Sequence, residues 1–200
     1  MPETPREQLV LSLFKECDAL LQGHFRLTSG KHSEWYFEKI RLIEKPASLE
    51  KIVDLLVEKI EAEVSEFDYV VSPAYGAIAI GFLAALKLGK KFAFSQRVDE
   101  KMSIRPGFSG LDGSRTVIVE DILTTGGSIQ EVVACLKERH ASIEGIYVLV
   151  DRTGGAVPIE GKPVGSLLAL KVEAFESGAC PFCKKGLPVT KPGASDKGAA

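Results

Sequence analysis

Little in this chain points to a membrane, an export route or a nucleic acid. Its longest apolar stretch, Ala77 to Leu86, is too short to cross a bilayer and runs into Lys87. Residues Met1 to Glu7 are polar and lack the apolar centre of a secretion signal, so a cytoplasmic location is expected. The formal net charge is only -2, so no basic field gathers nucleic acid or anionic lipid, and neither is expected as a partner. Cysteine is scarce: four residues, widely spaced, do not make a secreted disulfide framework. Cys17 and Cys135 fall inside helical patterns and read as small core residues. Cys180 and Cys183 offer half the ligands of a zinc site, with no second cysteine pair nearby, and read as a turn without metal. His24, His32 and His140 show no His-x-x-x-His spacing and are not expected to ligate metal either. No internal repeat is visible.

What is present suits one globular domain. The 200 residues are 45% apolar and 26% charged, enough to bury a core and stay soluble. Thr4-Pro5-Arg6-Glu7 is a capping box with proline at the first helical position. Apolar residues from Leu9 to Leu21 then repeat at helical spacing, and Gly23 is the expected stop. His24 to Arg41 alternates like two short strands around Ser29-Gly30, and Pro46 opens a second helix. From Tyr69 onward the pattern is strand, turn, helix, repeated: Tyr69–Val71, then Ile78–Leu88 stopped by Gly89, Phe92–Phe94, Thr116–Val119, Ser128–Arg139 and Ile143–Val150. Leu167 to Leu170 fits a late edge strand. Such alternation predicts an α/β fold whose mostly parallel sheet is flanked by helices. Between Gln96 and Arg115 the pattern breaks into a charged, glycine-rich stretch that reads as a long loop without its own structure. Lys191 to Ala200 reads as a disordered tail.

The chemistry concentrates between Thr116 and Ser128. An apolar strand leads to two adjacent carboxylates, Glu120 and Asp121, followed by Thr124-Thr125-Gly126-Gly127-Ser128 at a helix start. In open α/β sheets ligands bind at the carboxyl ends of strands. Free N–H groups of Thr125 to Ser128 can wrap a phosphate, and Gly126 and Gly127 let the backbone approach it. Carboxylates repel phosphate but accept from hydroxyls, so Glu120 and Asp121 suit the 2- and 3-hydroxyls of a sugar. A donor cradle beside two acceptors describes a phosphorylated ribose.

The segment Val119 to Ser128 resembles the phosphoribosyl-diphosphate signature of the type I phosphoribosyltransferases. Within that family the chain is similar to the orotate-using branch. Gly23-His24-Phe25-Arg26-Leu27-Thr28-Ser29-Gly30-Lys31-His32-Ser33, followed by Trp35-Tyr36-Phe37, resembles its base-binding hood. Ser72-Pro73-Ala74-Tyr75-Gly76 resembles its diphosphate loop, and Asp151-Arg152 its Asp-Arg pair. The resemblance implies one phosphoribosyltransferase domain over residues 1–176, with a hood at about 23–42 and a flexible loop at about 97–114, then the Cys-x-x-Cys turn and tail at 177–200. It implies transfer of 5-phosphoribosyl from phosphoribosyl diphosphate to orotate in pyrimidine biosynthesis, with Mg²⁺ held by substrate and water rather than by protein ligands. It also implies a homodimer.

The implied roles are specific. Glu120 and Asp121 hold the ribose hydroxyls. Ile122, Leu123, Thr124, Thr125, Gly126, Gly127 and Ser128 form the 5-phosphate segment. Ala74 and Tyr75 meet the diphosphate. Lys101, with Arg97 and Arg105, covers it from the loop, often in the neighbouring subunit's site. Arg152, Tyr36, Phe37 and Thr124 meet the base. A guanidinium fork suits the carboxylate that orotate carries. The loop lacks histidine, and Thr28 stands where many relatives carry a cation. A purine phosphoribosyltransferase and a non-catalytic sensor of phosphoribosyl diphosphate are the alternatives.

Overall fold

The computed structural model describes residues 4–27, 29–170 and 172–192. Thr28 and positions 193–200, most of the expected tail, lie outside the described residues. Helix α1 spans Pro5–Glu16, and its capping box is formed as expected between Thr4 and Glu7. The helix ends earlier than its apolar spacing suggests. Asp18 takes a left-handed φ of 53°. The Ala19 and Asp18 N–H groups then close back on the carbonyls of Phe14 and Lys15. Helices often end in this way, normally on glycine. Leu20 and Leu21 therefore belong to β1 (Leu20–Arg26), and Gly23 lies within that strand rather than capping the helix.

Strand β1 pairs antiparallel with β2 (His32–Phe37) to form a separate two-stranded hood. A short helix, α2 (Ile40–Glu44), leads into α3 (Pro46–Glu63), which carries proline in its first turn.

The main sheet has six strands. They are β3 (Tyr69–Pro73), β4 (Lys91–Val98), β5 (Lys101–Ile104), β6 (Arg115–Leu123), β7 (Ser142–Asp151) and β8 (Gly165–Ala169), in the spatial order β5-β4-β3-β6-β7-β8. All neighbours are parallel except β4 and β5. Helices α4 (Ile78–Leu88) and α5 (Gly127–Glu138) connect strands, so the expected α/β architecture is the one observed. Side chains of the central strands alternate between two cores. Val70, Val117 and Val119 join α1, α3 and α4 on one face, while Val71 and Ile118 join α5 on the other. Burial on both faces explains why these strands read as unbroken apolar runs.

The stretch from Gln96 to Arg115 is not the unstructured loop expected. Strand β4 runs to Val98 and turns through Asp99 and Glu100 into β5, both turn residues at positive φ. Beyond β5, Leu111 is buried, the Tyr69 hydroxyl donates to the Ser109 carbonyl, and Phe94 and Phe108 meet edge-to-face. These contacts fasten the segment to the sheet. The hairpin was hidden because a tight two-residue turn of this kind normally shows Asn or Gly.

Candidate active site

Parallel strands β3, β6 and β7 deliver their carboxyl ends to one rim, and the hood closes over it. A cavity of about 310 Å³ forms there, lined by the Pro73–Gly76 turn, Glu120, Asp121, Ile122, Thr124, Ser128, Arg152, Tyr36, Phe37 and Lys39. A neighbouring cleft of about 550 Å³ shares Tyr36, Thr124 and Arg152 with it and adds Thr125. A larger groove, about 780 Å³, lies elsewhere, between Leu21, Ile40 and Ile43 and the charged Asp18, Glu38, Arg41 and Glu44.

Glu120 and Asp121 lie within β6 rather than beyond its end, and both are buried. The Glu120 carboxylate accepts from the Asp121 N–H at 2.8 Å. Burial first, then the Asp121 charge, pushes the Glu120 carboxyl far above the usual carboxylate range. Asp121 Oδ2 lies 2.7 Å from the Lys39 ammonium and has no aligned hydrogen bond. Burial is the largest single influence on Lys39 and acts to lower its pKa, but the Asp121 carboxylate, Glu120 and Tyr36 together outweigh it and the net shift is upward.

Gly76 makes this packing possible. A Cβ there would stand 2.0 Å from Asp121 Oδ2 and 2.7 Å from Lys39 Nζ. The peptide before Tyr75 is cis, and the Tyr75 side chain is exposed.

The turn from Thr124 to Ser128 leads into a helix, as expected. Gly126 stands at φ 80° before α5, and no side chain caps the helix, so its first N–H groups face outward without a protein acceptor from that source. A Cβ on Gly126 would approach Ile159 Cδ1 at 2.6 Å, so close packing as well as positive φ demands glycine. Leu123 is buried in the α5-side core and Ile122 is half-buried against the other, so their side chains brace the turn. Gly127 begins α5.

Arg152 follows β7. Its Nε is buried without a hydrogen-bond partner, and burial lowers its pKa. Asp151 does not serve as its counter-ion; that carboxylate is occupied by the N–H groups of Thr153 and Gly155 and the Thr153 hydroxyl. A guanidinium held in a cavity wall without a carboxylate beside it is a ready anion receptor.

The Phosphoribosyl transferase domain family matches residues 41–179. An orotate phosphoribosyltransferase of Caldicellulosiruptor bescii is 37% identical, over 94% of this chain and 97% of that protein. One from Chlorobium phaeobacteroides is 39% identical, over 92% of this chain and 94% of that protein. The crystal structure of orotate phosphoribosyltransferase from Aeropyrum pernix superposes with a TM-score of 0.67 at 28% identity, covering 81% of this chain and 94% of that one. The chain belongs to the orotate phosphoribosyltransferase family.

For this orotate phosphoribosyltransferase family member, the fold gathers most of the residues singled out from sequence and separates three. Glu120, Asp121, Ile122, Thr124, Ser128, Ala74, Tyr75, Arg152, Tyr36 and Phe37 share one cavity. The Phe37 ring nevertheless turns into the core, edge-to-face on Phe14 at 6.0 Å. Arg97, Lys101 and Arg105 are not among the residues that line this chain's cavity. Arg97 is tied to Glu131 at 2.5 Å and to the Glu100 carbonyl at 2.8 Å, and all three cations are exposed. Lys39 was missed. The available signal was electrostatic: two buried carboxylates need a cation, and Lys39 comes two residues after the hood strand.

Proposed function

We propose that this protein transfers the 5-phosphoribosyl group of phosphoribosyl diphosphate to orotate, giving orotidine 5'-phosphate and diphosphate. The observation that carries the base assignment is the partnerless buried Nε of Arg152, on the rim that also holds Thr124 and Tyr36. A purine base has no carboxylate to satisfy it. Glu120 and Asp121 accept from the ribose hydroxyls, and the N–H groups of Thr125 to Ser128 with the Thr124 and Ser128 hydroxyls take the 5-phosphate. Tyr36 and the backbone of Phe37 border the base, and the Pro73–Gly76 turn, with Ala74 and Tyr75, meets the diphosphate.

The protein forms no covalent bond with substrate in this scheme. Transfer breaks the bond from C1 to the diphosphate oxygen and forms one to a base nitrogen, whose N–H proton passes to the departing diphosphate or to water. The bond breaking leaves positive character on the ribose ring. The buried Asp121 carboxylate beside the sugar stabilises it, and positioning supplies much of the rest of the acceleration. Mg²⁺ suits such a site because it prefers hard oxygens and keeps several waters. Substrate oxygens and water would hold it, and when bound it would neutralise diphosphate charge.

Lys101, with Arg97 and Arg105, completes the site from a neighbouring copy in a homodimer. This reading is supported by the exposed β4–β5 hairpin, whose cations lie apart from the chain's own cavity. A cytoplasmic setting accords with four cysteines none of which forms a disulfide, and no described helix is long and apolar enough to cross a membrane.

Arg152→Ala tests the assignment. Losing a charged hydrogen-bonding partner is expected to raise KM for orotate on the order of tenfold or more, with a much smaller change for phosphoribosyl diphosphate. Steady-state kinetics with each substrate varied in turn reads this. Equal effects on both substrates would remove Arg152 from base recognition.

A further inference from the structure

Within the hood the fold assembles a second cluster that the transferase chemistry does not use. His24 comes from β1, His32 opens β2, and the thiols of Cys180 and Cys183 come from a turn that begins 156 positions after His24. One ligand atom from each of the four lies within 4.8 Å of all the others. Sequence spacing hid this set, because each half of it is incomplete alone and only the hood pairing joins them.

We propose that His24, His32, Cys180 and Cys183 form a structural Cys₂His₂ site for one zinc ion, which clips the C-terminal segment to the hood.

The distances fit. A tetrahedral zinc with bonds of about 2.3 Å to sulfur and about 2.05 Å to nitrogen sets sulfur–nitrogen separations near 3.6 Å. Cys180 Sγ lies 3.5 Å from His24 Nε2, and Cys183 Sγ lies 3.7 Å from His24 Nε2 and 3.3 Å from His32 Nδ1. The two nitrogens are 2.8 Å apart, so they must open by about half an ångström, within reach of a small ring rotation, to take the ion.

The outer contacts fit as well. His24 Nδ1 meets the Leu187 carbonyl at 2.9 Å. A carbonyl only accepts, so the ring proton belongs on Nδ1 and the Nε2 lone pair points into the cluster. A ligating histidine normally holds its second nitrogen in this way. The acceptor belongs to the same C-terminal segment as the two thiols. A sulfur-rich tetrahedral set selects zinc over the hard cations that a phosphoribosyl site would use.

The local need for an ion is evident from burial. In the described residues from Glu173 to Pro192, only Cys180 is buried, so this segment has almost no apolar core to hold it. Yet backbone bridges pin it at both ends, Phe175 to His32 and Thr190 to Phe25, with the cluster between them. Metal binding is a common way to hold a segment that cannot bury enough surface.

The test is metal content and ligand spectroscopy on the full chain, independent of turnover. Protein produced with zinc in the medium and dialysed without chelator is expected to carry about one zinc per chain by plasma emission. The double variant Cys180→Ser, Cys183→Ser is expected to fall below about a tenth of that. Replacing zinc with Co²⁺ in the unsubstituted protein is expected to give the intense visible bands of tetrahedral cobalt with thiolate charge transfer. This keeps the test valid even where the variant folds poorly. Zinc-free protein whose Cys180 and Cys183 react freely as thiols or form a disulfide, together with no tetrahedral cobalt spectrum, would overturn the proposal. So would a zinc ion that survives in the double variant, because it would sit elsewhere.

Discussion

Burial and the adjacent Asp121 charge disfavour ionisation of Glu120, so its carboxyl titrates well above the ordinary carboxylate range. The sign of the stability effect follows. The folded pKa exceeds the unfolded value of about 4.3, so the native state holds a proton that the unfolded chain releases. Stability is fully present below the unfolded value and is lost as pH rises towards the folded one. Glu120→Gln removes this penalty. In the absence of ligands its melting temperature is expected to exceed that of the unsubstituted protein, with a gap that widens from about pH 5 to about pH 8. Thermal melts at the two pH values check this, and a gap that narrows with pH would reverse the assignment. Turnover of the same variant is expected to fall, since the amide NH2 that replaces one carboxyl oxygen cannot accept from a ribose hydroxyl. Lys39 belongs to the same balance: its ammonium is the cation that offsets Asp121 in a cavity with two acids.

The element that converts this charge cluster into a site is the turn from β3 to α4. Gly76 is the point where turn, Asp121 and Lys39 meet, and a methyl group there collides with side-chain ends rather than with backbone. Gly76→Ala is therefore expected to keep the fold, with a melting temperature within a few degrees, while raising KM for phosphoribosyl diphosphate on the order of tenfold or more. A melt shifted by well over ten degrees would instead make Gly76 a folding residue. Elements of this kind were legible where the chain announces them by residue type. The capping box at Thr4, the helix stop at Gly89 and the paired acids before Gly126-Gly127 each have a local physical cause that the sequence displays. The misread boundaries have equally local causes of the opposite kind. Asp18 takes the left-handed helix-ending position, and Asp99 and Glu100 the hairpin turn, where glycine or asparagine would have been expected. Residues that pay a steric penalty for a turn give no warning of it, so tertiary pairing decided those segments.

At the scale of the molecule, the rim of the parallel sheet was readable because its chemistry runs along consecutive residues of β6. The Cys₂His₂ cluster was not, because its ligands are distant in sequence and converge only once the C-terminal segment lies on the hood. The β4–β5 hairpin raises the remaining whole-molecule question, since its cations lie outside the chain's own cavity. In a homodimer that shares them, Lys101→Ala and Asp121→Asn damage different halves of each site. Mixing the two inactive variants, with subunit exchange, is expected to restore about a quarter of normal activity, because half the dimers are mixed and each holds one intact site. No recovery in a mixture shown to contain mixed dimers would place the hairpin lysine in its own subunit's site. The most direct test of the account is to follow orotate absorbance when the unsubstituted protein meets phosphoribosyl diphosphate and Mg²⁺. The expected result is loss of orotate matched one-for-one by diphosphate and orotidine 5'-phosphate. Bound phosphoribosyl diphosphate without diphosphate release, or turnover with adenine or hypoxanthine but not orotate, would contradict it.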